Sequence, residues 1–283
     1  MLSHRGHLRL LWFGRARSRS SRPNTPKPQI GYPAAVLVLL PPSETKRGGG
    51  DGAPLDLDAL SFPTLSPLRT ELVDEVVALA ADVPASRRAL KIAASLDGEI
   101  ERNAALRRAP TLPAITRYTG VLYDALDFAT LSGAAAARAR TRLVVGSALF
   151  GLLRADDAVP AYRLSAASAL PTGGTLAARW QPLLVPELTR VAADELIVDL
   201  RSGSYMSLGR VPGAVRVDVV NERPDGTRTV VSHFNKSHKG RLARVLAGSR
   251  SEPTDAAAVA TIARRAGFQV ERRGNDLTIV LSD

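Results

Sequence analysis

Three short and almost unbroken apolar runs decide what this chain can fold into: Ala35 to Leu40, Leu143 to Val145 and Leu196 to Leu200. Each has the length of a strand and lacks the in-and-out alternation of a half-exposed one. Each therefore reads as a strand buried on both faces, inside a central sheet covered by helices. The stretches between them supply those helices. Leu68, Leu72, Val76 and Leu79 recur at the helical period, and Leu90 and Ala93 repeat it. Trp180, Leu184 and Leu188 mark a helix from Leu176 to Ala192 that Pro186 should kink. Val215, Val217 and Val219 alternate with charged residues, Pro224 to Gly226 turns, and Thr229 to Phe234 returns, which is a hairpin pattern. A helix from Asp255 to Arg265 and a hairpin turned at Gly274 to Asp276 close the chain. The expected class is mixed α/β: one compact domain over residues 34–283, with a central sheet, flanking helices and a helical hairpin insertion.

Composition narrows function mainly by exclusion. The 283 residues include no cysteine, which removes disulfides, thiolate zinc sites and thiol-based peroxidase chemistry. Beyond residue 33 only His233 and His238 remain as histidines, too few to argue for an iron site, so neither metal nor cofactor is expected. The net charge of +11 is unevenly spread, because Arg5, Arg9, Arg15, Arg17, Arg19, Arg22 and Lys27 meet no acid before residue 34 and leave +4 for the rest. Rich also in Ser and Pro, that stretch reads as a disordered extension, residues 1–33. Its apolar island, Leu8 to Phe13, is too short to cross a membrane. An Arg-rich, acid-free beginning can mimic a transit peptide; the simpler expectation is an initiation codon assigned too early, with the folded protein starting near Val36. The expected location is cytoplasmic, with no membrane partner.

Candidate chemistry gathers at strand ends. The first run stops at Pro41 and Pro42, beyond which come Ser43 and Lys46 and a Gly48 to Gly52 loop without the spacing of a phosphate loop. Ligands of α/β folds commonly sit beyond the carboxyl ends of strands. After Val145, Gly146 and Ser147 break the second run ahead of a helix-length segment carrying Phe150, Leu153 and Arg154. A strand, a tight turn and a helix start are expected there, with backbone N–H groups suited to an anion and with Arg154, Tyr162 and Arg163 as side-chain partners. An ordinary strand-to-helix turn has the same pattern. Asp199 closes an apolar strand, a costly place for a carboxylate without a partner, and Ser202 and Tyr205 follow it.

Two basic segments add to the candidates. In Asn235 to Arg244, Ser237 stands at an expected N-cap, after Lys236, with Lys239, Gly240 and Arg241 in the first turns. Cations there oppose the helix dipole unless an anion binds. Lys236, Lys239 and Arg241 are therefore expected to converge with Arg154 and Arg163 on one anion pocket. Around Ser95 to Ile100, Gly98 allows a left-handed turn between two helices, ahead of Arg102, Arg107 and Arg108. Such a hairpin can hold DNA phosphates on backbone amides, whereas a plain helix through Gly98 would set Glu99 and Glu101 where DNA would lie. Tyr118 and Tyr123, flanking Thr119 and Gly120, read as rim residues of the core.

Leu40 to Lys46, Tyr118-Thr119-Gly120, the block from Gly146 to Leu164, Trp180, Asp199 to Tyr205 and His233 to Arg241 stand in the order and spacing of the YaaA family of bacterial peroxide-stress proteins. The chain resembles that family from about Val36 to its C-terminus. The resemblance implies a cytosolic protein with a single unusual α/β fold, a role in limiting damage during hydrogen peroxide stress, and DNA as a partner of a helix-hairpin-helix element. Gly98, Arg102 and Arg107 would serve that element here. The family's strand end carries Ser-Pro-Ala-Lys-Thr where this chain has Pro42-Ser43-Glu44-Thr45-Lys46, which shifts the lysine, and the hairpin at Gly98 lacks a second glycine. Two functions follow: a DNA-binding protein without chemistry of its own, or an enzyme whose Lys, Arg and Ser-lined pocket takes an anionic small molecule or nucleotide.

Overall fold

The three apolar runs are neighbouring strands of one sheet in the computed structural model of the protein, which describes residues 36–229 and 232–282. The basic extension lies outside the described residues. Strand β1 (Val36–Leu40) leads through β2 (Gly52–Pro54) to helices α1 (Ser66–Leu79), α2 (Val83–Leu90) and α3 (Gly98–Ala104). Then come β3 (Pro110–Pro113), α4 (Ala114–Arg117), α5 (Val121–Leu126) and α6 (Gly133–Arg142). Strands β4 (Leu143–Ser147), β5 (Gly151–Arg154) and β6 (Ala158–Val159) precede the long α7 (Leu176–Asp194), β7 (Leu196–Asp199) and α8 (Gly203–Met206). The chain ends with β8 (Val215–Glu222), β9 (Arg228–Thr229), α9 (Ser232–Gly248), α10 (Ala256–Arg265), β10 (Val270–Arg273) and β11 (Asp276–Ser282).

The main sheet runs β10, β11, β8, β7, β1, β4, β5, with β9 attached to β8, and β2, β3 and β6 form a separate small sheet. Its five inner strands are parallel, and both edges are closed by antiparallel partners. Strand β1 lies between β4, through Val38 opposite Leu143, and β7, through Val36 opposite Leu196. The chain thus leaves β1 to one side and later returns to the other, and the carboxyl ends of β1, β4 and β7 meet where its direction reverses. Helix α7 buries Leu176, Trp180, Leu184, Leu188 and Val191 and runs unbroken through Pro182 and Pro186. Both prolines are exposed, so the carbonyls that lose an N–H partner face water. No helix among the described residues is long and apolar enough to cross a membrane.

Three local expectations are corrected. The segment after Ser147 starts no helix: it turns at Ala148 to Phe150 and returns as β5, antiparallel to β4, with Gly151 opposite Ser147 and Arg154 opposite Val144. Gly151 permits the reversal, with φ +71° and the Trp180 ring 2.7 Å from where a Cβ would stand. Helix α9 begins at Ser232, so residues 232–234 of the expected returning strand are helical, 230 and 231 lie outside the described residues, and Lys239 lies inside a helix, away from its start. Gly98 opens α3 without a left-handed backbone; the left-handed residue of the helical hairpin is Lys91, φ 55°, after α2, and a 3₁₀ turn at Ala94–Leu96 follows.

Candidate functional site

Pro41 and Pro42 lack the N–H that would continue the ladder, so β1 stops and the chain bends away at Ser43. Ser43 Oγ donates to the Thr45 carbonyl (2.5 Å) and accepts the Thr119 N–H (3.1 Å), while Thr119 Oγ1 donates to Thr45 Oγ1 (3.2 Å). These bonds clamp residues 43–46 on residues 118–120, and Lys46 pairs with Tyr118 by an isolated bridge. The clamp turns Lys46 inward. Its side chain is buried, and Nζ donates to the carbonyls of Ser43 (2.9 Å) and Glu44 (3.3 Å). Nζ also lies 4.1 Å from the centre of the Tyr162 ring and 5.4 Å from that of Tyr118. Among the described residues no carboxylate forms an ion pair with it. Burial pushes its pKa down to about 7; Arg163 and Arg102 push the same way, and Glu99 and Glu44 oppose them.

Beside this amine stands a chain of hydroxyls. Ser147 Oγ, fully buried at the end of β4, accepts the N–H groups of Leu149 (3.2 Å) and Phe150 (3.0 Å). With both lone pairs engaged, its own proton goes to Tyr162 Oη at 2.7 Å. Tyr162 Oη in turn shares a hydrogen bond with Tyr118 Oη at 2.8 Å. Tyr118 also interacts with the Ser147 side chain, so the three hydroxyls form one connected group. Burial raises the pKa of Tyr118, Tyr162 and Tyr123 above the usual phenol range, which keeps all three protonated. Tyr123 Oη donates to the Pro41 carbonyl (2.8 Å) and ties α5 to the end of β1.

At the third strand end, Asp199 finds its partner two residues away. Arg201 donates to it through Nε (2.9 Å) and Nη2 (2.8 Å), and both side chains are almost fully buried. The guanidinium continues to the carbonyls of Gly209 (2.8 Å) and Tyr205 (3.3 Å). A Cβ on Gly146 would stand 2.9 Å from Arg201 Cδ, so glycine lets the arginine lie across the end of β4. Lys239, buried on α9, donates to the Leu200 carbonyl (3.3 Å); burial lowers its pKa, against the pull of Asp218 and Asp199.

The structure thus brings Ser43, Lys46, Ser147, Tyr162 and Arg163 together. Arg163 Nη2 donates to the exposed carboxylate of Glu44 (2.9 Å), and its backbone is held by Asn103 of α3 (2.8 and 2.9 Å). Tyr205 is within electrostatic reach of Arg163 and Glu44, and burial pushes its pKa up to about 12. Ser202 is exposed, its hydroxyl paired with that of Ser204 (3.2 Å). The expected convergence of the two basic clusters fails for Arg154 and Arg241. Because β5 runs antiparallel, Arg154 lies beside the start of β4, donating to the Thr141 carbonyl (2.9 Å) and facing Glu195 at 3.9 Å. Arg241 is exposed over the Phe268 ring, and Lys236 is exposed on α9. Gly240 is a packing position, since a Cβ there would clash with the Leu122 carbonyl oxygen. Gly98 is exposed, Arg102 pairs with Glu99 and Arg107 with Asp74. Tyr118, read from the sequence as a rim residue, belongs to the centre of the cluster; the interruption at Thr119 and Gly120 was its signal.

Comparison with known proteins follows the same chain limits. A family model described as Peroxide stress protein YaaA matches residues 36–273. A UPF0246 protein of Corynebacterium efficiens is 52% identical over 253 residues, which cover 87% of this chain and 100% of that protein. One of Corynebacterium glutamicum is 48% identical over the same coverage. Another, of Streptomyces coelicolor, is 42% identical over 83% of this chain and 92% of its own. With the match spanning the sheet and all three strand ends, the chain belongs to the peroxide stress protein YaaA family.

Proposed function

We propose that this peroxide-stress protein acts as an enzyme on a small anionic molecule at the Lys46 cluster. One observation carries the reading: the Lys46 amine is buried between two tyrosine rings and held only by backbone carbonyls. A lysine with a purely structural role keeps its ammonium in water or beside a carboxylate, because an unpaired buried charge is costly. Departures of this kind concentrate at functional sites. Arg163 adds an anion-binding group whose present partner, Glu44, is largely exposed and so replaceable by a ligand carboxylate or phosphate. A thermal-shift screen of carboxylated and phosphorylated metabolites tests the reading. Stabilisation by a subset of them in the wild type, lost in Arg163→Gln, is the expected result. Silence across the screen, or stabilisation unchanged in the variant, overturns it.

DNA binding is the second reading, favoured by the surface of the α2–α3 hairpin. Arg88, Lys91 and Arg108 are exposed there without ion pairs among the described residues. Arg102 and Arg107, by contrast, are engaged by acids. On this reading, replacing Arg88, Lys91 and Arg108 together by Ala in the full chain lowers the salt slope of duplex binding by roughly one unit per lost phosphate contact. An unchanged slope would remove the hairpin from DNA binding.

A further inference from the structure

We infer that Lys46 is an amine nucleophile that forms an imine with a carbonyl compound bearing a carboxylate, an oxo acid, with the Tyr118 hydroxyl holding the carbonyl oxygen. The inference rests on the small-molecule reading of the site and names its substrate class. Three features point to it. First, the amine sits on a polar shelf of two carbonyls against aromatic walls, the desolvated setting in which lysines serve as Schiff-base nucleophiles. Second, the hydroxyls of Ser147, Tyr162 and Tyr118 form one connected group in the same cluster, anchored by the N–H groups of Leu149 and Phe150. A carbonyl oxygen that gains negative charge under attack is a stronger acceptor for the Tyr118 proton than a neutral hydroxyl. Third, Arg163 offers a carboxylate its guanidinium at the rim, where Glu44 now sits.

The step balances without a redox partner. The Lys46 nitrogen lone pair forms the new C–N bond while the C=O π pair moves to oxygen, and the proton the nitrogen must shed reaches that oxygen through the Tyr118 hydroxyl, which gives one proton and takes one. The carbinolamine then takes one proton from solvent on its hydroxyl and expels water, leaving a protonated imine. Ser147 and Tyr162 are positioning residues, aligning the Tyr118 donor without touching the substrate.

The chain has five lysines, so the other four report background reactivity. The test incubates full-length wild type with pyruvate and cyanoborohydride at neutral pH and locates reduced adducts by peptide mass spectrometry. The expected result is preferential modification of Lys46 over exposed Lys91 and Lys236, reduced in Arg163→Gln and rescued in part by Arg163→Lys. Acetone, which lacks the carboxylate, should label Lys46 in wild type and Arg163→Gln alike. Labelling of Lys46 no faster than that of Lys91 and Lys236 overturns the imine. If the metabolite screen nonetheless shows Arg163-dependent stabilisation, the anion site stands and only the covalent chemistry falls; if both fail, the small-molecule reading falls with it.

Discussion

Asp199→Ala should cost about 3–5 kcal/mol of folding stability, read as a lower urea midpoint at unchanged slope. The carboxylate accepts two bonds from the Arg201 side chain and a third from its backbone N–H (3.1 Å), all of them buried. Removing it leaves a buried guanidinium with two carbonyl partners and no counter-charge. The double variant Asp199→Ala/Arg201→Met separates the cost of an orphaned charge from the worth of the pair. If orphaning dominates, the double variant recovers most of the stability. A loss below about 1 kcal/mol in the single variant would show that the pair is solvated and the end of β7 more open than described.

Lys46→Met should act in the opposite sense and depend on pH. Folding lowers the lysine pKa from 10.5 to about 7, so between those values the unfolded chain holds more protons and wild-type stability rises with pH. Below about 7 both states carry the charge and the burial penalty is fully present; above about 10.5 both are neutral and it vanishes. Met fills much of the same volume without the charge. The variant is therefore expected to gain up to about 4 kcal/mol over wild type near neutral pH, less the two lost carbonyl bonds, and to converge on it toward pH 10.5. Glu44, Glu99, Arg102 and Arg163 act on the amine electrostatically, while Tyr118 and Tyr162 remain protonated through this window. Urea unfolding at several pH values checks the sign; a pH-independent difference would mean that the amine keeps its solvent. A gain in stability joined to loss of ligand response is the pattern of a residue retained for function.

The strands that matter most were legible because burial on both faces shows directly in composition, as in Val36 to Leu40 and Leu143 to Val145. Strand β5 was not. Four residues are too few to show a period, and the turn before it depends on Gly151 packing against Trp180, which lies in a different element. The start of α9 was hidden for another reason: residues 235–238 are not buried, and the buried run Lys239, Gly240, Leu242 and Ala243 comes only after them, so the segment before it reads as loop. Lys46 was legible as a residue beyond a strand end. Its surroundings were not, since Tyr118 and Tyr162 reach it from distant parts of the chain through the clamp at Ser43 and the turn after Ser147.

The absence of a side chain at Gly240 has a mechanical consequence. Helices α5 and α9 touch backbone to backbone there, so neither can slide without carrying the other. Helix α5 grips the end of β1 through Tyr123, and α9 grips the end of β7 through Lys239. The two helices therefore behave as one lever with a foot on each strand end. Helix α9 also packs on α10, which in turn packs on β10, so this pair joins the ends of β1 and β7 to the far edge of the sheet.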